Sequence, residues 1–324
     1  MVYKNDIVED PILTSIYRGY MPQGQRFIAD KIFPTVPVKV RSAKLRQLGT
    51  DFLRIYDDVF IGKNKTPEIE FTISKADGWY CEKHGLKYML TKEDALDFGG
   101  TAGMAAGMQE AKEEFTRFLK VAKMLVREYA LMSVLTDTNI ITNNVTLTES
   151  DRFNNYVIKN VHRDILRGAR AKIWTETGEE ANTVIMSKDV KDVLIDHPVL
   201  KAEIYGTGPT PIESLNDAQL AKALKVDRIL VGKVRYNAAM KGQAASMLNV
   251  WPNSLIFAYI NPSSAPMRYE NSLGYRFELE APVVDSFGVN DPKGAEYVRV
   301  EDFYDDLLIE AKAAYLIKDA ITAI

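Results

Sequence analysis

The recurrence of apolar residues between Met108 and Leu135 constrains the fold more than any other feature of the sequence. Ala111, Phe115, Phe118, Leu119, Ala122, Leu125, Val126, Tyr129 and Met132 return at three-to-four-residue spacing, with Glu113, Lys120, Lys123 and Arg127 off the stripe. That is the period of an amphipathic helix. At about 1.5 Å per residue such a helix is on the order of 40 Å long, a strut along which the rest of the chain must be arranged. The stretch before it, "DFGGTAGMAAGMQEAKEEF", places Gly99, Gly100, Gly103 and Gly107 ahead of Met108. Their φ/ψ freedom suits a hinge. The helix is expected to begin in earnest near Met108, with Glu110, Glu113 and Glu114 favourably placed in its first turns.

Upstream, "IFPTVPVKV" carries Pro34 and Pro37, which forbid a helix there and hold their neighbours extended. Residues 1–40 therefore read as an extended arm that needs another surface to lie on. Between Lys44 and about Ser74, the β-prone runs "DFLRIYDDVF" and "EIEFTISKA" flank "IGKNKTP", the pattern of a long hairpin with a polar, basic tip. An isolated hairpin is marginal in water, so this one is expected to pack on another element or another subunit.

Downstream, "TDTNIITNNVT" ends the long helix, and a second amphipathic helix carries Tyr156, Val157, Asn160, Val161, Ile165 and Ala169. From about Thr177 short strands and helices alternate. "NTVIMS" reads as a buried strand. Ser187 and Asn216 are N-cap candidates for the helices that follow them, and Pro198 stops one helix or starts the next turn. "RILVGKVRYN", "SLIFAYINP" and "GYRFELEAP" read as strands. The segment "EYVRVEDFYDDLLIEAKAAYLIKDAI" alternates as strands do, although "LLIEAKAAYLI" is equally compatible with a helix.

Motifs of chemistry fail their context tests. The kinase-like "DFG" at Asp97 precedes the "HRD" at His162–Asp164, the reverse of the kinase order, and Ala169 stands where the second metal ligand belongs. "GGTAGMAAGMQE" has no Lys-Ser/Thr for a phosphate loop, and the Gly-Lys of "LVGKVRYN" sits in a β-prone run. His84, His162 and His197 are far apart in the sequence, and Cys81 with His84 makes at most half of a metal site. Asp57 with Asp58, and Asp305 with Asp306, are neighbours on strands, so they point to opposite faces and do not form a carboxylate dyad. No catalytic residue, cofactor site or metal site is assigned.

Composition is that of an ordinary globular protein, 46% hydrophobic and 26% charged over 324 residues. The single cysteine, Cys81, excludes an internal disulfide framework and fits a reducing compartment. There is no secretory signal or membrane-length apolar run, and the expectation is a soluble cytosolic product. With a net charge of -3 and no polybasic tail, sequence-specific nucleic-acid binding is not expected. The charge is nevertheless uneven. Lys31, Lys39, Arg41, Lys44, Arg46 and Arg54 face only Asp51 between positions 31 and 54, whereas Glu296, Glu301, Asp302, Asp305, Asp306 and Glu310 cluster around Arg299. Opposite charges of this kind can steer head-to-tail contacts between copies.

The order of parts, an extended arm, a basic hairpin, a long helix and an α/β portion with returning strands, resembles the major capsid protein of tailed bacteriophages, the Hong Kong 97 type fold. The carriers are "ADKIFPTVPV", "WYCEKHGLKYMLTKEDALDF", "ANTVIMSKDVKDVLIDHPVLK", "LKVDRILVGKVRYN" and "VWPNSLIFAYINP". The resemblance implies an α+β fold with an N-terminal arm (residues 1–43), an extended loop (44–75), a peripheral domain (76–179) with a spine helix at about 108–136, an axial domain (180–285), and a return to the peripheral domain (286–324).

It further implies a non-enzymatic shell subunit that forms pentamers and hexamers of an icosahedral head around double-stranded DNA. Such a subunit is assembled in the host cytoplasm and found in the virion. A separate scaffolding protein, a portal and a decoration protein are the partners expected. Contacts between copies are expected to join Arg41, Lys44, Arg46 and Arg54, with Lys63 and Lys65 at the loop tip, to Glu301, Asp302, Asp305 and Asp306. The alternatives are a bacterial compartment shell of the same fold and a cytosolic α/β enzyme.

Overall fold

The computed structural model describes residues 8–22, 27–47, 74–99, 103–156, 159–206, 214–261, 272–288 and 295–322. Strand β1 (Val8–Glu9) leads into helix α1 (Pro11–Gly19), where the sequence had suggested only an extended arm. Asp10 caps α1, its side chain accepting from the amides of Ile12 and Leu13 at 3.0 and 3.1 Å. Pro11 takes the first helical position, which needs no N–H. A single turn, α2 (Ala29–Ile32), precedes β2 (Thr35–Pro37), which is extended, as the prolines require.

The hairpin base is present. Strand β3 (Ser42–Gln47) pairs antiparallel with β4 (Ser74–Tyr80), while residues 48–73 lie outside the described residues. At Gly78 a Cβ would stand 2.0 Å from the carbonyl oxygen of Ala43, beside the register shift between Ala43 and Leu45. Only glycine allows that approach.

Strand β5 (Glu82–Leu90) and helix α3 (Lys92–Gly99) follow, so the "DFG" tripeptide is the end of a helix. Helix α4 (Met104–Leu135) begins four residues before the sequence expectation, after Gly103 at φ 89°. Gly107 is buried within the helix rather than part of a hinge ahead of it.

Next come β6 (Asn144–Thr146), α5 (Lys159–Thr177), the fully buried β7 (Thr183–Ser187), α6 (Lys188–Asp196), α7 (Pro198–Tyr205) and α8 (Asp217–Leu224). Ser187 caps α6. Asn216 and Gln219 form a reciprocal capping box on α8, satisfying two backbone donors at once. The run expected as one strand splits into β8 (Arg228–Gly232) and β9 (Arg235–Asn237). At Gly232 a Cβ would meet the Trp251 ring at 2.0 Å, and the chain turns away there to pair β9 with β10 (Met247–Asn249). Strands β11 (Leu255–Ala258), β12 (Gly274–Gly288), β13 (Glu296–Leu308) and β14 (Ala314–Lys318) complete the described elements. A three-residue 3-10 turn at Ala311–Ala313 stands where the sequence was ambiguous with helix.

Among the described residues two five-stranded sheets organise the chain. One has the order β1-β12-β13-β5 with β2 parallel to β12, and the other the order β6-β14-β11-β7-β8. The arm therefore lies on its own chain, through β1 and β2 on β12. Helix α4 serves both sheets. Ala111 and Leu119 in its first half pack with Val284, Val298 and Val300 of the first sheet and with Leu13 and Tyr17 of α1. Leu131 and Leu135 in its last half pack with Ile185, Ile256 and Leu316 of the second. The other face of the second sheet, which carries Phe257, is covered by α5, α6 and α8 through Ile173, Val190 and Leu220. Each fully buried leucine in these layers contributes about 1.5–3 kcal/mol, and α4 contributes to both cores.

Candidate assembly interface and the ion network beneath it

Strand β13 runs along α4, and its even-numbered acids meet cations spaced along that helix. Lys112 Nζ lies 2.5 Å from Glu296, Lys123 pairs with Asp302, and Arg127 Nη2 lies 3.1 Å from Asp306. Asp302 is 3% exposed and also faces Arg276 Nη2 at 3.5 Å. The Arg276 guanidinium rests 3.8 Å from the centre of the Tyr304 ring. On the other side of the strand, Glu301 takes Lys83 at 2.7 Å and Arg299 at 3.2 Å, and Asp305 accepts the Tyr80 amide at 2.9 Å. The four acids expected to meet a neighbouring copy are thus engaged within their own chain. Removing one partner of a buried pair costs about 3–5 kcal/mol, so the buried Asp302 is held by its own chain.

The polar positions of α4 are likewise not all solvated. Arg127 is 7% exposed. It donates to Asp30 of α2, to Asp306, and to the Phe33 carbonyl at 3.2 Å. Burial opposes its charge, but the carboxylates of Asp306 and Asp30 outweigh that and hold it protonated. Glu128 is fully buried and accepts three hydrogen bonds: from the amides of Ile28 and Ala29 at 3.0 and 2.9 Å, and from Trp251 Nε1 at 2.6 Å. Burial pushes the Glu128 carboxyl upward, and these donors, Trp251 foremost, offset only part of the rise. One helix side chain therefore ties the arm to the loop before β11. Burial also lowers the Lys123 ammonium and raises the Glu278 carboxyl. Both groups line a cavity of about 260 Å³ with Tyr17, Lys120 and Arg276.

Of the basic residues expected at the interface, Arg41 and Lys44 are exposed. Arg41 Nε donates to the Cys81 carbonyl at 3.2 Å, and its guanidinium lies 4.8 Å from the Tyr80 ring centre. Arg46 stands opposite Lys75 in the β3–β4 ladder. Arg54, Lys63 and Lys65 lie outside the described residues.

The histidines correct the sequence reading. His162 on α5 and His197 between α6 and α7 are not apart: His162 Nδ1 is 2.8 Å from His197 Nε2, and both rings are buried. The Val199 amide donates to His197 Nδ1 at 3.3 Å, capping α7. Neutral His197 must then carry its hydrogen on Nε2 and donate it to His162 Nδ1. The remaining hydrogen of His162 sits on Nε2, which faces the carbonyls of Asp151 and Arg152 without reaching hydrogen-bond geometry. Phe153 and Tyr156 close the pair in with edge contacts. Burial, with His162 alongside, pushes His197 down to about 4, and burial lowers His162 as well. Cys81 is wholly buried. Among the described residues no three His, Cys, Asp or Glu side chains are grouped to hold a metal ion, and no helix is long and apolar enough to cross a membrane.

No family model and no curated protein sequence matches the chain. Solved structures do. A phage-related protein from Bordetella bronchiseptica RB50 superposes with a TM-score of 0.68 over 97% of this chain and 98% of its own, at 24% identity. The capsid of cyanophage P-SCSP1u covers 93% of this chain and 90% of its own, with a TM-score of 0.55 and 10% identity. This chain has the phage-capsid fold. A structure from Microbacterium phage Oxtober96 superposes with a TM-score of 0.54 and 10% identity, over 92% of this chain and 93% of its own. At such identities the capsid fold is conserved as architecture, and the α+β class implied by the sequence resemblance is the one observed.

Proposed function

We propose that this chain is the structural subunit of a viral capsid, self-assembling into pentamers and hexamers that form an icosahedral head around double-stranded DNA. The capsid fold carries the reading, because it extends over 93% of the chain against a phage capsid rather than over one shared motif. Self-association is the work such a subunit does, and its place is the virion after assembly in the host cytoplasm. A separate scaffolding protein, a portal and a decoration protein are its proposed partners.

On this reading residues 1–43 are the arm, 44–75 the extended loop, 76–179 the peripheral domain with α4 as its spine, 180–285 the axial domain, and 286–324 the return. Two strands qualify those bounds: β12 belongs with the first sheet across residue 285, and β14 joins the second sheet. Arg41, Lys44, Arg46, Arg54, Lys63 and Lys65 are the proposed donors to a neighbouring copy. Electron microscopy of the purified protein tests the proposal. Closed shells or capsomer rings are expected, and a persistent monomer or dimer at all concentrations and salt conditions would overturn it.

A further inference from the structure

Helix α5 carries Arg167, Arg170, Ala171 and Trp174 at a spacing that sets them on one face. With Glu180, Ala181 and Lys225 they line a groove of about 370 Å³. Its walls are tied together: the Asn182 carbonyl accepts from the amides of Asp227 and Arg228 at 2.9 and 3.2 Å, fastening the end of α8 to the segment after α5. Lys225 stands at the C-cap of α8 with φ 55°. Trp174 is 59% exposed, and among the described residues no other ring and no cation lies over its indole.

Three cations and one carboxylate, Glu180, line this groove. Among the described residues Arg167, Arg170 and Lys225 have no ion pair, and Arg170 Nε donates to the Leu166 carbonyl at 3.4 Å. Burial disfavours the Arg170 charge; Glu203 and Glu180 oppose that, and Arg167 adds to it. Glu203 is itself held by Arg163 at 3.1 Å, and the exposed Asp164 and Asp227 stand outside the lining. The groove is therefore locally basic in a chain whose net charge is -3. Cations around an uncovered aromatic face suit an unpaired base and its phosphate, because stacking holds the base while the cations hold the backbone. A carboxylate beside them can accept from the amino group of a base such as cytosine, a donor that thymine lacks.

We propose that the α5 groove binds the base-plus-phosphate unit of a nucleotide, with an unpaired base stacked on Trp174, the phosphate held by Arg167, Arg170 and Lys225, and Glu180 accepting from an exocyclic amino group. A base inside a duplex is already stacked on both sides and has no free face to offer. The occupant is therefore a single strand or a free nucleotide. The groove belongs to one chain, so the site goes beyond the shell reading and does not depend on it.

Quenching of tryptophan fluorescence in the dissociated subunit tests it, since Trp251 is buried and Trp79 is stacked on Phe277 at 4.6 Å. A short oligodeoxycytidine quenches and binds more tightly than an oligodeoxythymidine of the same length, and a duplex of that length does not quench. Cytidine monophosphate separates the two sources: equal affinity assigns the site to a free nucleotide, and much weaker binding assigns it to a strand. With a labelled strand followed by anisotropy, Trp174→Ala weakens binding about tenfold or more, and Glu180→Gln removes the preference for cytosine. Lys225→Gln lowers the slope of log affinity against log salt by about 0.7, the value for one phosphate contact to a single strand. All three positions are exposed, and an unchanged melting curve shows that each variant is folded. No quenching by any probe, equal binding of duplex and single strand, or unchanged binding by Trp174→Ala overturns the site and leaves the shell reading intact.

Discussion

Acidification from pH 7 to pH 4 is expected to weaken selectively the corner where α5 meets α6 and α7. His197 is neutral there because its Nδ1 accepts from Val199 while its Nε2 donates to His162, and a proton on Nδ1 destroys the cap. In the unfolded chain a histidine takes its proton near pH 6.5; in the fold His197 resists until about 4. The unfolded state therefore binds the proton first. The stabilisation is fully present above pH 6.5, declines as pH falls, and is lost below about 4. A difference of about 2.5 pH units at 1.36 kcal/mol each is about 3 kcal/mol.

Asp151 and Arg152 border the pair on the His162 side, and Asp196 near His197 is occupied by Lys201 at 3.2 Å and Ser214 at 2.7 Å. Urea unfolding of the unassembled subunit at pH 7, 6, 5 and 4 reads the effect. The control is His197→Asn, which retains a capping side chain and cannot titrate. The wild type should lose about 3 kcal/mol more than the variant across that range. Parallel loss in the two proteins would refute the tautomer argument.

Two further outcomes follow from the packing. Glu128→Ala leaves the amides of Ile28 and Ala29 and the Trp251 indole buried without an acceptor, and it should cost about 3–5 kcal/mol in denaturant unfolding. Glu128→Gln, which keeps an acceptor oxygen, should cost clearly less. Gly232→Ala sets a methyl group against the Trp251 ring and should destabilise by about 1–3 kcal/mol, with altered tryptophan fluorescence showing where the strain falls.

The sequence disclosed α4 because nine apolar residues share one period, and it disclosed the capped helices α6 and α8 because Ser187 and Asn216 act locally. Helix α1 was missed although its signal, an Asp-Pro pair at positions 10 and 11, was present; nine residues hold too few turns for periodicity to register. The intrachain partners of the β13 acids are illegible for a different reason: charge density along the chain says nothing of neighbours in space, and the α4 partners lie 179 residues away for both Asp302 and Asp306. The same holds for Glu128, whose donors come from positions 100 residues before it and 123 after. His162 and His197 are separated by 35 residues, and nothing in either neighbourhood signals that two histidines will share a hydrogen bond. Local chemistry is legible in a single sequence, whereas a buried polar network exists only once the topology has brought its members together.

That topology bears on how the protein is made. Strand β13 sits between β12 and β5 in one sheet, and β14 sits between β6 and β11 in the other. Both interior strands are supplied by residues 296–318, after almost everything they hold together has already left the ribosome. A nascent chain halted before residue 296 can close neither sheet. It leaves Lys112, Lys123 and Arg127 without their carboxylates on β13. The subunit is therefore complete only once residues 296–318 have been made, and a chain stopped short of them carries two unfinished sheets.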